Sequence, residues 1–102
     1  WLIMYEIKFL PKAAKNYKKI KDKKLKQKLK SAIYEIAENP FIGNAKKGDL
    51  SGIYGYDVYY NKTNYEISYK IYETPEKSII IILIGTRENF YDELKKYLKD
   101  SF

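Results

Sequence analysis

A chain of 102 residues without histidine or cysteine makes one domain with a narrow chemical repertoire. It has no imidazole for acid–base work, no thiolate nucleophile and no disulfide framework, and nearly every common zinc site is excluded, so neither metal nor cofactor is expected. The net charge of +7 is concentrated in one stretch: Lys8 to Lys30 holds eleven lysines and a single acid, Asp22, whereas Ser31 onward sets nine basic residues against eleven acids. A split of this size points to an acidic partner for the first part, whether nucleic acid, an anionic membrane face or an acidic protein; the alternative is a solvated helix face in a lysine-rich chain. No segment has the apolar length of a membrane span, so a cytoplasmic protein with no membrane partner is expected. Trp1-Leu2-Ile3 is too short for a signal peptide and reads as a non-native leader ahead of a start at Met4.

Tyr5-Glu6-Ile7-Lys8-Phe9 alternates apolar and polar residues and predicts a short strand. Leu10-Pro11 ends it, and Pro11 suits a first helical turn, where its missing N–H costs nothing. Ala13, Tyr17 and Ile20 recur at helical spacing among lysines, until Lys21-Asp22-Lys23 interrupts them with Asp22 placed to cap a second helix. That helix carries Leu25, Leu29, Ile33, Ile36 and Ala37 as one stripe and stops at Asn39-Pro40. The pair predicts an antiparallel helical hairpin whose lysines stay in water. Phe41 to Gly52, with three glycines, reads as a loop. Ile53 to Tyr60 predicts a strand and Asn61-Lys62-Thr63-Asn64 a hairpin turn. Tyr65 to Tyr72 returns with Tyr65, Ile67, Tyr69 and Ile71 on one face, opposed by Glu66, Ser68, Lys70 and Tyr72.

After a turn at Glu73 to Lys77, Ile79 to Ile84 forms six consecutive apolar residues, five of them β-branched, the pattern of an interior strand buried on both faces. Gly85 lets the backbone turn. A last helix then puts Phe90 or Tyr91, Leu94, Tyr97 and Leu98 on one side, with Thr86 or Asn89 as its cap. The turn carries Arg87, the sole arginine. An always-charged fork at the end of a central strand is the first place to look for chemistry, and its plainer role is an ion pair tying the turn to the domain. The order β-α-α-β-β-β-α predicts one α+β domain over residues 1–102, with helices on a mainly antiparallel four-stranded sheet.

In that order and spacing the chain resembles the RelE/ParE superfamily of type II toxins from Tyr5 to Lys99. The likeness rests on Asp49-Leu50-Ser51-Gly52-Ile53-Tyr54, on Tyr65-Glu66-Ile67-Ser68-Tyr69 and on Gly85-Thr86-Arg87-Glu88-Asn89-Phe90-Tyr91. It implies a single RelE/ParE-like toxin domain, neutralised by a cognate antitoxin protein with a segment that folds on binding. RelE-like members cleave messenger RNA in the ribosome without metal; ParE-like members inhibit DNA gyrase. Arg87 matches the arginine that follows the last strand in the RelE-like pattern, and Tyr91 lies near its tyrosine. Gly55 and Asp57 stand where that pattern has two second-strand lysines, and Glu66 where it has a third-strand arginine.

The resemblance implies first a ribosome-dependent mRNA interferase, an endoribonuclease that inhibits translation. Attack by a neighbouring 2′-OH needs a proton acceptor, a donor at the leaving 5′ oxygen and positive charge on the phosphorane. Arg87 supplies the charge, Glu66 or Asp57 the acceptor, and Tyr91 a proton or a stacking surface for a base. Lys15, Lys18, Lys19, Lys23, Lys26 and Lys30 on the hairpin, with Lys46, Lys47 and Lys62, are candidate RNA contacts. The plainer roles are a core aromatic for Tyr91 and solvent-facing strand polarity for Glu66 and Asp57. The alternatives for the whole protein are a ParE-like, non-enzymatic gyrase inhibitor and a degenerate toxin that retains antitoxin binding alone.

Overall fold

An apolar run such as Ile79 to Ile84 needs neighbours on both edges and cover on both faces. The computed structural model describes residues 4–88 and 90–101. Its elements are β1 (Glu6–Phe9), α1 (Pro11–Lys19), α2 (Lys23–Glu38), β2 (Asn44–Ala45), β3 (Tyr54–Tyr60), β4 (Thr63–Tyr72), β5 (Ser78–Thr86) and α3 (Phe90–Ser101), with 3-10 turns at Pro40–Ile42 and Gly48–Leu50. The sheet has the order β1-β5-β4-β3-β2, so the apolar run lies inside it; β1 runs parallel to β5 and the other pairs are antiparallel. Among the described residues no helix is long and apolar enough to cross a membrane.

The sheet has five strands rather than four because Asn44 and Ala45 pair with Gly55 and Tyr54. Two residues are too few to show a period in sequence. Their close approach depends on glycine, since a Cβ on Gly43 would stand 2.5 Å from the Tyr69 hydroxyl and 2.8 Å from the Gly55 carbonyl. The β3–β4 turn is also tighter than the sequence suggests. Asn61 and Lys62 both adopt positive φ, 49° and 65°, which makes a two-residue hairpin loop and returns Thr63 and Asn64 to β4. Gly85 and Thr86 remain in β5, so neither turns the chain nor caps α3. The other proposed cap, Asn89, and the leader Trp1-Leu2-Ile3 lie outside the described residues.

Each face of the sheet has its own core. Ala13, Leu25, Leu29, Ile33 and Ile36 of the hairpin pack with Ile67, Tyr69, Ile79, Ile81 and Ile84. On the opposite face Phe90 and Leu94 of α3 pack with Leu50, Ile53, Ile82 and Leu83. A bulge in β5 serves both cores: Ser68 pairs with Leu83 and Tyr69 with Ile81, leaving Ile82 between them without a partner. Ile82 and Leu83 therefore enter the same core in succession. Where β1 ends, Leu10 N–H donates to the Ile81 carbonyl at 2.9 Å and Ile84 N–H donates to Asn16 Oδ1 at 3.1 Å, so α1 closes the exposed stretch of β5.

Asp22 caps α2 as its position suggested, accepting from the backbone N–H groups of Lys24 and Leu25 at 3.0 and 3.2 Å. The Leu25 N–H is the main reason its carboxyl is held below its ordinary 3.8. A lowered carboxyl contributes stability above its unfolded value and loses it as pH falls through the folded one. Asp22→Ala should therefore melt earlier than the parent at neutral pH, and the gap should close in strong acid. In the hairpin-side core, Ile81→Ala should cost about 2–5 kcal/mol in urea unfolding, because a site packed from both sides collapses only partly.

Candidate functional site

Strand alternation places the chemistry. On β4, Ile67 and Tyr69 face the helical hairpin, so Glu66 and Ser68 face the other way. Glu66 is 1% exposed and stands in register between Asp57 of β3 and Gly85 of β5. A carboxylate buried to that degree needs a partner that is both charged and hydrogen-bonding.

Two partners reach it. Lys46, the residue after β2, brings Nζ to 3.1 Å from Glu66 Oε2 and donates to the Tyr91 hydroxyl at 2.7 Å. The Tyr91 hydroxyl in turn donates to Glu66 Oε1 at 3.2 Å. The Lys46 ammonium also lies 4.5 Å from the centre of the Tyr91 ring, a cation–π contact. The Lys46–Glu66 approach is close enough for an ion pair but misaligned for a hydrogen bond, so Oε2 keeps a free acceptor. Arg87 borders the triangle, half-exposed, with Nε 4.0 Å from Glu66 Oε1 and one terminal nitrogen 3.5 Å from Asp57 Oδ2. A Cβ on Gly55 would stand 2.5 Å from Glu66 Oε2 and 2.8 Å from Lys46 Cε, so the absence of a side chain there leaves room for the pair.

The cluster holds its charges firmly. Burial works against the Lys46 ammonium, but the hydrogen bond to Tyr91 and the contact with Glu66 outweigh it, and its proton is held above the ordinary 10.5. Asp57 first, and Tyr91 second, raise Arg87 further still. Both cations remain charged throughout the physiological range.

The four candidate catalytic residues, Asp57, Glu66, Arg87 and Tyr91, thus meet on one sheet face although they come from the middle of β3, from β4, from the turn after β5 and from α3. The hairpin lysines do not join them. Lys15, Lys18, Lys19, Lys23 and Lys30 are exposed on the helices that cover the opposite face, and Lys26 lies over the Tyr17 ring at 4.9 Å. Lys47 is exposed beyond β2, and Lys62 sits at the tip of the β3–β4 turn. Lys46 points into the cluster instead of outward. Among the described residues no group of three acids could hold a metal ion.

Two features of this face escaped the sequence reading. Tyr59, 62% exposed, shares its side of β3 with Asp57 and Gly55, which the strand's period of two would have revealed. The pairing of Lys46 with Glu66 spans twenty residues through a two-residue strand and carried no local signal.

A family model for the ParE-like toxin of type II bacterial toxin–antitoxin systems matches residues 7–95. The chain belongs to that family and is a type II toxin of the RelE/ParE kind. Its fold is shared with an E. coli RelE toxin mutant in the free state, at 20% identity and a TM-score of 0.75 over 98% of this chain and 100% of that one. It is shared also with the RelBE2 toxin–antitoxin complex of Mycobacterium tuberculosis, at 19% identity and a TM-score of 0.65, covering 83% of this chain and 100% of the other. The intact E. coli RelBE toxin–antitoxin complex matches at 21% identity and a TM-score of 0.64, over 79% and 94% of the two chains. No curated protein is matched by the sequence.

Proposed function

We propose that this toxin cleaves messenger RNA on the ribosome, with Arg87 and Tyr91 touching the RNA and Glu66 acting behind Tyr91. The observation that carries the reading is the meeting of an exposed arginine fork with a tyrosine hydroxyl already hydrogen-bonded to a buried carboxylate. Burial assigns the roles. Glu66 lies too deep to touch a substrate, whereas the Tyr91 hydroxyl is half-buried and passes its proton to Glu66 Oε1 as it takes one from the ribose 2′-OH. The 2′ oxygen bonds to phosphorus, the P–O5′ bond breaks, and the leaving oxygen takes a proton from water. A 2′,3′-cyclic phosphate and a 5′-OH result. Arg87 supplies two parallel donors to the charge that grows on the non-bridging oxygens. Asp57 aims that fork, and the exposed Tyr59 ring offers a stacking surface on the same face.

The hairpin lysines, with Lys47 and Lys62, would attract ribosomal RNA to the other side of the molecule. The antitoxin partner, suggested by the RelBE complexes among the structural neighbours, fits the apolar groove of Ile7, Phe9, Tyr17, Ile33 and Tyr34, which has Lys30 at its rim. Beside that groove Glu6 and Leu10 turn their N–H groups toward β5, so alternation turns those of Ile7 and Phe9 to the sheet's outer edge, where an extended segment could pair.

A ParE-like, non-enzymatic action on DNA gyrase is favoured by one observation. Lys46 and Arg87 are each matched by a carboxylate, Glu66 and Asp57, so the cluster offers no net positive charge. Mapping message ends and DNA supercoiling in the same cells after induction separates the two: new ends within codons support cleavage, and relaxed or broken DNA with intact messages supports gyrase.

Arg87→Lys keeps the charge and loses the planar fork. With Arg87 on the phosphate, both Arg87→Lys and Arg87→Ala should fold and melt like the parent, while cleavage falls about 10²–10³-fold, the scale for a lost preorganised donor. A stable, fully toxic Arg87→Ala would remove the case for a nuclease. Exchange of Lys15, Lys19 and Lys23 for glutamine should flatten the salt dependence of ribosome binding and leave the melting temperature in place, since exposed lysines add little to folding.

A further inference from the structure

Lys46 reaches the cluster from a loop, across a strand that would ordinarily block it. Its own backbone is fixed, with N–H donating to the Ile53 carbonyl at 2.8 Å. The start of the same loop is tied to β4: Gly43 N–H donates to the Tyr69 hydroxyl at 3.1 Å, and that hydroxyl donates to the Pro40 carbonyl at 2.7 Å. From this anchorage the side chain runs over Gly55 to Glu66 and Tyr91, and it keeps 15% of its surface in water.

We infer that Lys46 is a positioning residue, which holds Glu66 ionised and fixes the direction of the Tyr91 hydrogen bond, and that Gly55 is the opening through which it acts. The direction follows from donor chemistry. An ammonium has donors only, so a tyrosine oxygen that accepts from Lys46 must aim its own proton elsewhere, and the acceptor in reach is Glu66 Oε1. The ionisation follows from what faces the carboxylate. Lys46 comes from the loop after β2, Asp57 from β3, Arg87 from the turn after β5 and Tyr91 from α3, while Gly85 presents no side chain. Asp57 is of like charge, and Arg87 is 4.0 Å away with half its surface in water. Lys46 is thus the close cation among the described residues, and without it a carboxylate at this depth takes up a proton. The effect on rate rests on the RNA-cleaving reading; the effect on proton binding does not.

The test uses the whole chain in three forms: parent, Lys46→Met and Gly55→Ala. Ribosome-dependent cleavage of a message is followed as kcat/KM against pH, and urea unfolding of the parent and Lys46→Met is followed over the same range. In Lys46→Met the acidic limb of the cleavage profile should move up by about 1–3 pH units, the usual effect of an opposite charge at this range. Gly55→Ala, whose Cβ would press on Lys46 Cε and on Glu66 Oε2 alike, should move it the same way. In unfolding, Lys46→Met should lose stability relative to the parent as pH rises from acid to neutral, because its folded form must release a proton that the unfolded form has already lost. An unmoved limb in Lys46→Met overturns the positioning role. If no form cleaves RNA, the nuclease reading fails while unfolding still decides the inference: parallel pH slopes for parent and Lys46→Met end it.

Discussion

A carboxylate at the centre of a sheet, withdrawn from water, sets the terms for half of this structure. An unpaired ion at such a depth costs several kcal/mol even after relaxation, a large share of what a small domain has in total. Glu66 meets that demand with a lysine from outside its own hairpin and a tyrosine from the last helix. Each solution imposes a further constraint. The lysine needs a vacant position on β3, which Gly55 provides, and a strand close enough to start from, which Gly43 permits. The tyrosine needs α3 seated on the sheet, which the bulged stretch Ile82–Leu83 secures through Phe90 and Leu94. The same strand's other face is ordinary apolar packing, Ile67 and Tyr69 against the helical hairpin.

Much of this was legible in the residues. The alternation of β4 separates Glu66 from Ile67 in the sequence itself, and the stripe Leu25, Leu29, Ile33 and Ile36 with its Asp22 cap defines α2 within a residue. What stayed hidden has a common physical cause. A run of isoleucines has no polar phase, so the bulge at Ile82 leaves no trace in it. A two-residue strand has no period, so β2 and the delivery of Lys46 were invisible, as was the positive φ of a lysine at the hairpin tip. Convergence of Arg87, Tyr91, Glu66 and Asp57 could be suspected from resemblance. The cation that joins them depends on tertiary approach, which local pattern does not encode.

Family and fold narrow the activity only so far. Structures alike at about a fifth identity hold the same frame while the side chains on it change, and activity belongs to the side chains. In this chain the departures have a pattern. Cations are absent from the two β3 positions and the β4 position that the resemblance marked, and a lysine arrives from the neighbouring loop, matched by an acid. The result is an ordered chain of hydrogen bonds with little net charge around it, supplemented by an arginine that remains half in water.

The lysine hairpin and the carboxylate cluster occupy opposite sides of the sheet, in a molecule whose shortest dimension is 22 Å. Electrostatic influence at physiological ionic strength fades over about 8 Å, so neither side senses charge bound to the other. Attraction and discrimination are therefore uncoupled in space. On the proposed reading, one surface would set how quickly a polyanion is found, and the other would set what is done on arrival. Substitutions on the two should combine as independent free energies. A protein that masked the cluster alone would leave the charge of the hairpin uncovered, so on that reading a silenced molecule would still gather where phosphate is dense.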